Sequence, residues 1–119
     1  MSPQPIEAQG RARRRVAPLF AALGDETRLL LLDRLSSGSS LSISNLAEGT
    51  NVTRQAITKH LRVLHDAGLV RRQRKGRETR YALEPETVST ARRRLEEVAL
   101  RWGRALERLR ALVEGASNS

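Results

Sequence analysis

The 119-residue chain contains no cysteine, which removes disulfides, thiolate-ligated zinc and thiol redox sensing together. Aromatic residues are scarce. Phe20, Tyr81 and Trp102 are all there are, too few for the stacking platforms on which single strands and RNA loops are read. Long apolar runs are missing too: no stretch approaches the roughly 18 residues that span a bilayer. Residues 1–15 hold no apolar core of a secretory signal, so a cytoplasmic protein is expected. The last shortage is of negative charge. Thirteen acidic residues face 22 lysines and arginines, a formal net charge of +9, and such a field draws polyanions toward the molecule.

What remains is enough apolar residue for one modest core, 39% of the chain, and the length of a single domain. Residues 1–15, with Pro3, Pro5, Gly10, Arg11, Arg13, Arg14 and Arg15, read as a flexible basic arm. A first helix is expected over 16–23, with Pro18 tolerated in its first turn. Asp25 is a suitable N-cap for a second helix over 26–36. The run Leu29-Leu30-Leu31-Leu32 is apolar on nearly every face, which predicts a helix in the middle of the core.

Ser42 then caps a short helix through Ile43, Leu46 and Ala47, Gly49-Thr50-Asn51 makes a turn, and Thr53 caps a longer helix reaching about Ala67. Two helices joined by a tight Gly-containing turn form a helix-turn-helix. In the second, Ile57, Leu61 and Leu64 make an inward stripe, which leaves Arg54, Gln55, Thr58, Lys59 and Arg62 on other faces. Residues 69–75, the turn Gly76-Arg77 and residues 78–83 read as a β-hairpin whose arginine-rich tip projects as a wing. From Pro85 almost to Gly115 the chain reads as one helix. Its seam of Leu95, Val98, Trp102, Ala105, Leu109 and Leu112, spaced by threes and fours, can pack on its own domain or on a partner. Gly103 beside Trp102 suggests a close approach there.

Between Arg54 and Arg80 nine cationic side chains stand against Asp66 and Glu78. A soluble surface normally intersperses both signs, so this concentration on one helix and one hairpin points to double-stranded DNA, whose major groove admits an α-helix. Arg54, Gln55, Thr58 and Lys59 fall in the first two turns, where such helices meet base edges. Thr53 is expected to cap the helix and reach a phosphate. His60 is assigned to the flank of the contact, and Arg62, Arg74, Lys75, Arg77 and Arg80 to phosphate positioning. His60 and His65, the only histidines, point about 140° apart on a helix and do not chelate one ion. No catalytic triad, paired carboxylate or phosphate-cradling loop is visible. Neither an enzyme nor a bound metal or cofactor is expected.

The strings LFAALGDETRLLLLDRL, LSISNLAEGTNVTRQAITKHLRVLHDAGLV and RRQRKGRETRYAL resemble the ArsR/SmtB family of winged helix-turn-helix regulators, over residues 16–114, with 115–119 left as a tail. The resemblance implies a mainly α fold of about five helices with a small β-hairpin. It also implies a homodimer built from the first and last helices, which adds Leu19 and Phe20 to the seam residues as interface candidates. Repression by occluding promoter DNA, relieved by an effector, is implied as well. The family's metal-sensing members use cysteines near the third helix or Asp/His/Glu sets on the last. This chain has no cysteine and its last helix no histidine, so it is similar to the non-metal-sensing members. Two other readings stay open on the residues alone: a protein-interaction module whose basic face serves only solubility, and an architectural protein that binds DNA without sequence preference.

Overall fold

The computed structural model describes residues 6–117, in the order α1 (Ile6–Leu23), α2 (Glu26–Leu35), β1 (Leu41–Ser42), α3 (Ile43–Ala47), α4 (Arg54–Asp66), β2 (Val70–Lys75), β3 (Glu78–Leu83) and α5 (Pro85–Ser117). Three caps set the helix starts, each at the residue expected. Asp25 Oδ1 accepts from the Arg28 amide at 3.0 Å, Ser42 Oγ from the Asn45 amide at 3.1 Å, and Thr53 Oγ1 from the Ala56 amide at 3.1 Å. Each satisfies an amide that the first turn of a helix otherwise leaves unpaired.

The core is one cluster in which Leu31, Leu35, Leu46, Ile57, Leu61 and Leu64 are sealed from solvent. Arg34 locks the helix-turn-helix to α2: its Nη1 donates to the Leu46 carbonyl at 3.0 Å and also to that of Glu48, caring for carbonyls at the end of α3. The wing turn is a two-residue loop with Gly76 at φ 62° and no other residue of positive φ nearby, a conformation that glycine adopts without steric cost.

Several expectations need correction. The basic arm is helical from Ile6 onward, while residues 1–5 of it lie outside the described residues. Glu, Ala, Gln and Arg are good helix formers, and they outweigh Gly10. Pro18 consequently sits inside α1 and not in its first turn. In α2 only Leu31 and Leu35 are buried, whereas Leu29 and Leu30 reach the surface, because one side of the helix has no covering element. Leu41 and Ser42 form a third strand, ordering the sheet β1-β3-β2 with all pairs antiparallel. The tail assigned to residues 115–119 is helical to Ser117.

The molecule is elongated. Its radius of gyration is 19.9 Å, against about 13.5 Å for a compact chain of this length. The 33-residue α5, about 50 Å long at 1.5 Å per residue, accounts for the excess. Residues 99–116 are exposed without exception.

Candidate nucleic-acid interface

α4 has one sealed and one open side. Ile57, Leu61 and Leu64 are fully buried, while Arg54, Gln55, Lys59 and Arg62 are exposed. Thr58 is half-buried and its hydroxyl donates to the Arg54 carbonyl at 2.9 Å, so what it presents outward is its methyl.

The hairpin pairs β2 with β3 in the register Val70↔Leu83, Arg72↔Tyr81, Gln73↔Arg80 and Arg74↔Thr79. Because side chains alternate across a strand, Val70, Arg72 and Arg74 share a face with Thr79, Tyr81 and Leu83. That face continues the core outward over α4. A cleft of about 250 Å³ there is lined by Thr58, Arg62, His65 and Asp66 from α4 and by Arg72 and Tyr81 from the wing. The open side of α4 and the base of the wing thus form one surface. Arg77, in the turn, is exposed, and Arg74 Nε folds back to the Gly76 carbonyl at 3.4 Å.

Three of the expected contact residues lie elsewhere. Arg80 and Lys75 belong to the opposite face of the hairpin, with Gln73, and Arg80 Nε is buried without a hydrogen-bond partner. His60 is on the inner flank of α4: Arg28 Nη1 approaches its Nδ1 at 3.4 Å, and Asp25 Oδ1 lies 3.8 Å from the same nitrogen. Arg28 meanwhile donates through Nε to the Ala22 carbonyl at 2.6 Å and through Nη2 to that of Ala21 at 3.3 Å. His60 therefore joins α4 to the α1–α2 corner and does not face outward. The Arg28 amide holds the Asp25 carboxyl below its ordinary range, with help from the nearby His60 and the Arg28 guanidinium. Arg72, which is not among the contacts expected from the sequence, shares the cleft with Arg62. Strand alternation counted from the apolar Val70 is the signal that finds it.

The interface candidates divide similarly. Leu19 is buried in the core of its own chain and Phe20 is half-buried against that core. Trp102 is 65% exposed, Leu95 55%, Leu109 57% and Leu112 72%. Ala105 is exposed and Val98 half-buried. Leu100 and Leu106 are open as well, beyond those named from the seam. A side chain at Gly103 would meet nothing within 4 Å, so the close approach expected there is not made within one chain. No helix among the described residues is long and apolar enough to cross a membrane.

Residues 23–73 match a family of helix-turn-helix domains. The chain is 49% identical over 65 residues to the uncharacterised HTH-type transcriptional regulator YuzN of Bacillus subtilis, covering 50% of this chain and 71% of that protein. It is 30% identical over 95 residues to the arsenical resistance operon repressor of Escherichia coli, covering 80% and 79%. Among solved structures, an ArsR-like transcriptional regulator from Rhodococcus sp. RHA1 superposes with a TM-score of 0.72 at 38% identity, covering 83% of this chain and 92% of that one.

Proposed function

Because the chain belongs to the ArsR family of helix-turn-helix transcriptional regulators, we propose that it is a repressor that binds an inverted-repeat operator in double-stranded DNA as a homodimer. The observation that carries the reading is the shared cleft in which Thr58 and Arg62 of α4 meet Arg72 of the wing. One helix enters the major groove from that surface, and the wing reaches phosphates beside it.

Arg54 and Gln55 take base edges, where Arg pairs with guanine and Gln with adenine, and the Thr58 methyl meets thymine. Thr53, Lys59, Arg62, Arg72, Arg74 and Arg77 hold the phosphates. His60 and Arg80 position these elements from behind, and Lys75 stays outside the contact. The exposed stripe of Trp102, Ala105, Leu109 and Leu112 on α5 closes against a second copy, with Leu95 and Val98 at its root. A two-fold axis then presents two α4 helices to half-sites about 34 Å apart. Occupancy of a promoter by such a dimer blocks transcription.

Selection of binding sites from random duplexes by the purified protein tests the reading. The expected product is a palindromic motif bound at least a hundredfold more tightly than scrambled DNA, with affinity falling steeply in salt. Steep salt dependence with no enriched motif would leave an architectural DNA binder instead.

A further inference from the structure

Where the wing meets the far end of α4, the cleft between them holds a histidine to which no role has yet been given. Arg62 and His65 stand three residues apart on α4, and Arg72 of β2 and Tyr81 of β3 line the same space, with Asp66 at its side. Thr58, the other polar residue of the lining, has its hydroxyl taken by the Arg54 carbonyl. His65 is half-buried and Asp66 exposed, and His65 Nδ1 lies 3.8 Å from Asp66 Oδ1. Among the described residues, neither Arg62 nor Arg72 has a carboxylate within salt-bridge distance.

The charged and titratable groups that line the cleft with His65 are therefore Arg62 and Asp66 from its own helix and Arg72 and Tyr81 from the wing. In the free protein two guanidinium groups oppose a positive charge on the ring and one carboxylate favours it. A phosphate held between Arg62 and Arg72 reverses that balance, because an opposite charge within about 4–6 Å favours the charged form of a titrating group. Imidazole is the side chain whose ordinary titration falls between about pH 5 and 8. Once protonated, it donates from both nitrogens.

We propose that His65 is the third ligand of a backbone phosphate seated between Arg62 and Arg72, and that it takes up a proton as DNA binds. Nδ1 then donates toward Asp66, masking the one negative charge of the seat, and Nε2 donates toward the phosphate. The assignment rests on the DNA-facing role of this surface and adds to it a link between DNA binding and pH. The bound state holds more protons than the free one, so affinity rises as pH falls. A phosphate carries no sequence, so operator and scrambled duplexes share the effect. The homodimer stripe on α5 takes no part in it.

Calorimetric titration of the full-length protein with duplex DNA tests this, run at fixed ionic strength from about pH 6 to about pH 8 in buffers of differing ionisation enthalpy. The dependence of the measured heat on the buffer gives the number of protons taken up. Uptake of up to about one proton per subunit is expected, with affinity falling across that range by up to about tenfold per subunit. His65→Gln should abolish the uptake and flatten the profile, while binding within about twofold of the parent at the alkaline end. His65→Arg places a fixed charge at the same position. It should be equally flat, yet bind at the alkaline end as tightly as the parent does at the acid end. His60→Gln should keep the uptake, because His60 faces Asp25 and Arg28 instead. DNA binding without proton uptake, or uptake undiminished in His65→Gln, overturns the proposal and leaves the DNA-binding reading standing. Failure to bind any duplex across the range removes that reading, and the role of His65 with it.

Discussion

α4 and α5 are amphipathic helices built on the same repeat, yet the molecule covers the apolar side of one and leaves that of the other open. In α4 the apolar face is gone from solvent, with Ile57, Leu61 and Leu64 at 0% exposure, and the cationic face is open. In the outer half of α5 no face is covered, and the apolar one stands open with the rest. The difference lies in what each face can do with water. A field of arginine and lysine is well hydrated when uncovered and gains most by exchanging counterions for phosphate. A stripe of tryptophan and leucine gains by leaving water altogether, at roughly 25 cal/mol per Å². The two open faces therefore call for two kinds of partner, a polyanion for α4 and another apolar face for α5.

The sharpest way to break that comparison is to charge the α5 stripe. Trp102→Glu with Leu109→Glu should convert the proposed dimer into a monomer by sedimentation equilibrium. Operator affinity should fall by about 10²–10⁴, because the second half-site is no longer tethered to the first. A double variant that keeps its dimer mass would mean that the stripe serves something else. Truncating the two faces compares them directly. Leu61→Ala should cost about 2–5 kcal/mol in urea unfolding. Leu109→Ala removes the same atoms but should chiefly alter how the melting temperature depends on protein concentration. Equal losses from both at every concentration would erase the distinction.

Across the proposed DNA-facing surface, from α4 to the wing turn, a finer contrast separates reading from holding. Arg54→Ala should cost about 1–3 kcal/mol on the selected operator and relax preference at one position per half-site. Arg77→Ala should weaken all DNA alike and lower the salt slope by about one unit. Competition between operator and scrambled duplexes at several salt concentrations distinguishes the two patterns. If Arg54→Ala leaves both affinity and preference unchanged, α4 is not the reading helix.

Much of this arrangement was legible in the chain. Asp25, Ser42 and Thr53 announce their helices because a cap is a local hydrogen bond between residues three apart. The wing turn is announced by Gly76. What escaped depends on distance or on phase. β1 is two residues long and exists only by pairing with β3, about 40 positions away. Leu19 and Phe20 are neighbours in sequence but about 100° apart on the helix, so one enters the core and the other only borders it. Phase also decides which side of an element a residue occupies. His60 lies three residues after Ile57 and four before Leu64, on the inner side of α4, and Arg80 alternates with Tyr81. The arm is helical from Ile6 because the helix formers that follow its start outweigh Gly10.

The smallest expected effect concerns what holds α4 in place. Asp25 caps α2, and its carboxylate also stands beside His60 on α4. The Arg28 amide, foremost, keeps that carboxyl more acidic than it is in the unfolded chain, where it titrates at about 3.9. A folded-state pKa below the unfolded one contributes stability that is fully present above the unfolded value and is lost as pH falls through the folded one. Asp25→Ala should therefore be less stable than the parent at neutral pH, by less than Leu61→Ala, with the gap narrowing below about pH 4. Asp25→Asn keeps an N-cap acceptor without the charge. It should melt between the two at neutral pH and lack the part of the acid-induced loss that Asp25 causes. Thermal melts of the three proteins from pH 3 to pH 7 check this. If the Asn variant loses stability toward acid as steeply as the parent, the titrating group lies elsewhere.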